Sequence, residues 1–125
     1  MITWARIATR FEGVHNYPAA PDEVPFLRDP HRHIFHVTLW IEQFHDNRDV
    51  EYIMAVRWLD DVLGEYKKHV DGHAANLGAM SCEMIARSII DRAQGSRTLA
   101  PPYTHRRFMC EVLEDGENGA LVEMV

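Results

Sequence analysis

The chain has 125 residues, 46% hydrophobic and 26% charged, which suits one globular domain with a sizeable core and excludes disordered or fibrous classes. A net charge of −6 without a basic block argues against nucleic acid as a partner. With no apolar run long enough to span a bilayer and no signal-peptide pattern, the expectation is a cytoplasmic protein without a membrane partner.

Met1 to Glu12 alternates loosely and reads as a first strand, with Phe11 leading into Gly13-Val14-His15. His15 is in phase with Ile7 and Phe11 and so faces the same side. A loop from Tyr17 to Pro30 follows, with Pro18, Pro21, Pro25 and Pro30. Prolines at that density exclude helix and regular pairing, and long ordered loops are often functional. Eight histidines in a short chain call for an account, and a His-Arg-His triplet opens the second strand. There His31, His33, Phe35, Val37, Leu39 and Ile41 share one face, while Arg32, Ile34, His36, Thr38, Trp40 and Glu42 share the other. Imidazoles two positions apart stand about 6–7 Å apart on one side, a spacing from which both can converge on one metal ion. The alternative is a pair of loop-edge histidines without a ligand, and a third ligand is needed to decide.

After a polar turn at His45-Asp46-Asn47-Arg48, the stretch Val56 to Val70 reads as a helix with Val56, Leu59, Val62, Leu63, Tyr66 and Val70 on one stripe. Asp71 to Met80 reads as a turn-like link. Ser81 is the expected N-cap of a second helix, with Glu83 in its first turn and Met84, Ile85, Ser88, Ile89 and Ala93 on its buried face. Gln94-Gly95-Ser96 ends it. Cys82 and Cys110 lack C-x-x-C spacing and read as buried free thiols. From Arg106 to Glu114 the alternation returns, with Phe108, Cys110, Val112 and Glu114 on one face. Asp115 to Gly119 is a strong hairpin turn before a last strand, Ala120 to Val125. The expected domain, residues 1–125, is α+β in the order β-β-α-α-β-β: an antiparallel four-stranded sheet with two helices on one face. Its outer strands have no partners, which predicts an oligomer that closes the sheets into a barrel.

The series Phe11-Glu12-Gly13-Val14-His15, His31-Arg32-His33, Ser81-Cys82-Glu83 and Val112-Leu113-Glu114 resembles the 6-pyruvoyltetrahydropterin synthase family. That family includes the 6-carboxytetrahydropterin synthases of the queuosine pathway. The resemblance runs over nearly the whole chain and implies a T-fold, with trimers closing twelve-stranded barrels and two trimers stacking into a homo-hexamer. It implies a zinc-dependent lyase acting on the side chain of 7,8-dihydroneopterin triphosphate or a close relative. The implied zinc ligands are His15, His31 and His33, three imidazoles with one position left open, which is the pattern of a catalytic site. Glu114 matches the family's pterin-holding glutamate and can accept two parallel hydrogen bonds from an aminopyrimidinone edge; the alternative is the first polar residue of the turn. Glu83 matches a second glutamate of the pterin pocket, or is a first-turn helix carboxylate.

The chain departs from the family's proton-transfer set. Leu27 stands where the catalytic cysteine is usual, and the family's histidine falls on Gly72, with Asp71 kept and His73 one position later. Asp29, with His73 as partner beside Asp71, is the expected replacement base, unless Asp29 is only a turn residue before Pro30. Two further readings follow: the same fold acting on a different pterin or purine-like substrate, and a non-catalytic oligomer that binds zinc or a pterin. Arg28, Arg32, Arg106 and Arg107 could meet substrate phosphates or be surface charges.

Overall fold

A computed structural model of the chain describes residues 1–66, 74–100 and 105–125. Two long strands form its centre. β1 (Thr3–His15) buries Ala5, Ile7, Phe11, Gly13 and His15 in the alternation of a strand with one covered face. β2 (His31–Gln43) buries Phe35, Val37, Leu39 and Ile41 on the same side. The two pair antiparallel along their whole length, from Thr3 opposite Gln43 to His15 opposite His31.

Three shorter strands extend this pair. β3 (Ala75–Gly78) runs parallel to the end of β1, β4 (Phe108–Glu114) pairs antiparallel with β2, and β5 (Asn118–Glu123) pairs antiparallel with β4. The sheet is therefore mixed and five-stranded, in the order β3-β1-β2-β4-β5, rather than four-stranded. The extra strand lies inside the stretch expected to be a turn-like link. Its only local signal is that Ala75 and Leu77 are buried between exposed neighbours, and four residues are too few for alternation to stand out.

Helix α1 (Tyr52–Tyr66) buries Ala55, Leu59, Val62 and Leu63; of the expected stripe Leu59, Val62 and Leu63 are buried while Val56 and Tyr66 are half-buried, and the helix begins at Tyr52 rather than Val56. Residues 67–70, where the sequence continues the helix, lie outside the described residues. Helix α2 (Cys82–Gln94) is capped as expected: the Met84 amide donates to Ser81 Oγ at 3.2 Å. It buries Cys82, Ile85, Ala86, Ile89, Ile90 and Ala93. Met84, expected in that stripe, is exposed, because it follows Cys82 by two positions and such neighbours do not share a helix face.

The inward residues of the sheet and the two helices form one apolar core around the fully buried Phe35, Phe108, Leu39 and Ile41. The proline-rich loop contains a single 3-10 turn at Pro25–Arg28, which the prolines were expected to forbid. Pro25 opens the turn, where its missing N–H is not needed. In the hairpin, a Cβ on Gly119 would meet the Val112 carbonyl oxygen at 1.9 Å, so glycine is the only residue that fits. Among the described residues no helix is long and apolar enough to cross a membrane.

Candidate metal centre

The register of β1 and β2 assembles the site. His15 lies directly opposite His31, and Gly13 opposite His33. Residues two apart on a strand share a face, so all three imidazoles point to one side at the end of the pair. Their ring centroids are 4.6, 5.3 and 5.0 Å apart for 15–31, 15–33 and 31–33. One nitrogen from each ring lies within 4.8 Å of the others, so the three could hold a metal ion.

The rings are oriented from behind. His15 Nδ1 is 2.9 Å from the Met80 carbonyl, His31 Nδ1 is 2.9 Å from the Asp29 carbonyl, and His33 Nδ1 is 2.7 Å from Asp115 Oδ2. Carbonyls and ionised carboxylates only accept, so each Nδ1 donates to its partner and Nε2 is the nitrogen left to meet a ligand. That is the arrangement of a metal-binding histidine, with its outer nitrogen held by a second group. His15 Nε2 and His33 Nε2 are buried and have no hydrogen-bond partner among the described residues. Buried polar atoms are rarely left so; two unpartnered ring nitrogens side by side fit a cation site.

Glu114 faces these atoms. It ends β4 opposite Phe35, two places along β2 from His33. Oε1 is 3.2 Å from His15 Nε2 and Oε2 is 3.4 Å from His33 Nε2, close enough for an ion pair but outside hydrogen-bond geometry. Behind it the Cys82 thiol donates to Oε1 at 3.8 Å. Burial first, then the charges of Glu114 and Glu83, pushes this thiol up to about 12, so it remains protonated at neutral pH.

A cavity of about 540 Å³ opens over the site, lined by His15, His31, Leu27, Cys82, Glu83 and Glu114 among others; this is the size of a small-molecule pocket. The proline-rich loop forms one wall. It is tied down by the Tyr17 amide donating to the Leu27 carbonyl at 2.7 Å and by Arg28, which donates to the Ala20 carbonyl and pairs with Asp22. The loop thus presents Leu27 to the cavity and the Asp29 carbonyl to His31.

Of the residues expected at the site, the structure brings together His15, His31, His33, Glu114 and Glu83. Asp29 is exposed and reaches His31 through its main chain. Asp71, Gly72 and His73 lie outside the described residues. The four arginines offered as phosphate contacts are engaged elsewhere: Arg28 with Asp22, Arg32 with Glu12, Arg106 with Asp49 and Arg107 with Glu42.

Three contributors escaped the sequence reading. Met80 acts through a carbonyl, which side-chain identity does not reveal. Asp115 reads as a turn residue, yet its Oδ1 accepts from the Ile34 amide at 2.9 Å while Oδ2 takes His33. The His33 and Ile34 hydrogen bonds hold its carboxyl below the usual carboxylate range. Cys82 carried a signal, its place between the cap Ser81 and Glu83, but reads there as a core thiol.

The site and sheet together define an α+β protein with a three-histidine centre able to hold a metal at the floor of a cavity. No family model and no curated protein matches the sequence.

Proposed function

We propose that the protein is a zinc-dependent lyase acting on the side chain of a pterin, 7,8-dihydroneopterin triphosphate or a close relative. The observation that carries this reading is the set of three imidazoles, each with Nδ1 engaged and Nε2 turned inward, beside a cavity of about 540 Å³. Zinc suits three imidazoles with a position left for another ligand. When bound, it supplies Lewis acidity toward side-chain hydroxyls and acidifies the carbon that bears them. His15, His31 and His33 hold it. Glu83 and Glu114 offer carboxylates to the donor edge of the ring, and the neutral Cys82 thiol is a proton donor at the cavity wall. Asp29, Asp71 and His73 complete the proton-transfer set in this reading, with Leu27 in the family's cysteine position.

The same reading takes the chain as an atypical T-fold member of the 6-pyruvoyl/6-carboxytetrahydropterin synthase family that works as a homo-hexamer in the cytoplasm. Among the described residues no further strand pairs with the outer edges of β3 and β5, which supports assembly through the sheet, as does the half-exposed Leu121 on β5. A second reading, a different pterin or purine-like substrate, is favoured by one observation: Leu27 lines the cavity with an apolar side chain where proton chemistry is usual.

The test is incubation of zinc-loaded protein with 7,8-dihydroneopterin triphosphate, with products read by mass spectrometry and His31→Ala as the blank. Zinc-dependent loss of triphosphate or side chain is expected. Zinc bound without turnover overturns this substrate assignment and leaves the second reading or a non-catalytic binding oligomer.

A further inference from the structure

The proline-rich segment between β1 and β2 is held in an unusual way for a wall of the cavity. Of residues 16–30 only Ala20 is buried, and the 3-10 turn at Pro25–Arg28 buries none of its side chains. Tyr17 and Phe26 are more than half exposed. Its amides are spent on local turns: Ala20 donates to the Tyr17 carbonyl, Val24 to Pro21 and Leu27 to Val24, at 3.0–3.2 Å. The prolines have no amide to add. A segment with few buried apolar contacts and exposed hydrogen bonds opens locally at lower free energy than the core.

Three polar contacts bridge its outgoing and returning limbs, and two of them belong to Arg28. The guanidinium donates twice to the Ala20 carbonyl, from Nε at 3.0 Å and Nη2 at 2.7 Å, and Nη2 also reaches Asp22 Oδ1 at 2.6 Å. The Arg28 carbonyl accepts from Asn16 Nδ2 at 3.1 Å. The third bridge is the Tyr17 amide on the Leu27 carbonyl at 2.7 Å. Asp22 is almost fully exposed, so that ion pair adds little. The two bonds to the Ala20 carbonyl are part-buried and charge-assisted, the stronger kind. They grip the segment at the one residue it buries.

The neighbours of Arg28 are the residues that meet the site. Leu27 lines the cavity, as does Tyr17 on the opposite limb, and the Asp29 carbonyl lies 2.9 Å from His31 Nδ1. We infer that Arg28 is a positioning residue for the metal centre: its guanidinium latches residues 16–30 into a strap that opens independently of the core. Shut, the strap sets the Leu27 wall and steadies His31 through the Asp29 carbonyl. Open, it lets go of His31 and widens the way to the cavity floor. The link to His31 rests on the three-histidine metal reading above; the latch itself does not.

Hydrogen exchange of the full chain without metal tests the latch, with the Tyr17, Ala20 and Leu27 amides reporting the strap and Ile7 and Leu39 the core. In wild type the strap amides are expected to exchange faster than the core amides by on the order of a hundredfold or more. Arg28→Ala is expected to speed the strap by about tenfold or more and to leave the core amides unchanged. Arg28→Lys, whose single ammonium does not reproduce the fork on the Ala20 carbonyl, is expected to fall between the two and covers the case in which the alanine variant does not fold. Asp22→Asn is expected to match wild type. Zinc release into excess chelator tests the positioning role. It is expected to quicken in proportion to strap exchange, because release that waits on opening scales with the fraction open. Strap amides as slow as the core in wild type, or unchanged strap exchange in folded Arg28→Ala or Arg28→Lys, overturn the latch. Wild-type zinc release from a variant with a faster strap overturns the positioning role and leaves the metal centre standing. Failure of the wild type to bind zinc overturns the metal reading and the positioning role together, while the exchange rates still decide the latch.

Discussion

Asp115 Oδ2 lies 2.7 Å from His33 Nδ1 while its Oδ1 takes the Ile34 amide at 2.9 Å, so one turn residue at positive φ orients a ligand and locks the adjacent strand. The Asp115 amide completes the clamp by donating to the Ile34 carbonyl at 2.7 Å. A group of this kind fixes the ring and raises its basicity toward a metal.

From this follows a contrast between two aspartates. Asp115→Asn is expected to lower zinc affinity by about tenfold or more, because the charged acceptor behind His33 is lost. Asp29→Asn is expected to leave affinity unchanged, because its contact with His31 is through the main chain. Chelator competition measures both; equal losses would contradict the assignment of these contacts.

Phe35 joins the core to the site. It is fully buried, stacks on Phe11 with centroids 5.4 Å apart, and meets the rings of His15 and His33 edge-on at 5.2 and 5.7 Å. Phe35→Ala is expected to destabilise the fold by about 3–5 kcal/mol and, in whatever fraction stays folded, to weaken metal binding. Denaturant unfolding with and without zinc separates the two effects. Undiminished zinc affinity in the folded variant would show that Phe35 does not hold the imidazoles.

The two cysteines are expected to resist alkylation. Burial pushes both thiols up to about 12, helped by Glu114 at Cys82 and by Glu111 at Cys110. The reactive thiolate therefore stays scarce across pH 7–9. Mass spectrometry after iodoacetamide treatment of native protein checks this. Rapid modification of Cys82 would show a thiolate at the site instead of a neutral donor.

Two acids at the opposite end of the sheet contribute to the acid limit of stability. Glu42 is held below its ordinary value by hydrogen bonds from Arg107. At Asp49, burial acts upward but is outweighed by the Phe44 amide and the Arg106 guanidinium, leaving its carboxyl lowered as well. A lowered folded-state pKa adds stability that is present above the ordinary carboxylate range and is lost as pH falls through the folded value. Stability is thus expected to fall below about pH 4, with a smaller fall in Glu42→Gln and Asp49→Asn. Melting temperature against pH measures this; parallel acid profiles in wild type and variants would contradict it.

Much of this arrangement was legible in the sequence, and the remainder was hidden for physical reasons. The alternation from His31 to Ile41 and the phase of His15 with Phe11 fix which sides face inward, and the register turned those phases into a cluster. β3 was missed because a four-residue parallel strand is defined by its partner β1 and not by its own pattern. The start of α1 was misplaced because Tyr52, Ile53 and Met54 are exposed and apolar, so the amphipathic pattern begins only afterwards. Glu114 was legible as an anomaly at the end of an apolar face, but its distance to His15 depends on how β4 sits on β2.

The most direct test of the account is the zinc stoichiometry of wild-type protein and of His15→Ala, His31→Ala and His33→Ala, each dialysed against the metal and measured by elemental analysis. The account predicts one zinc per chain for wild type and loss of it in every variant that retains wild-type circular dichroism. Substoichiometric zinc in the wild type, or full retention when any of the three histidines is removed from a folded chain, would contradict it.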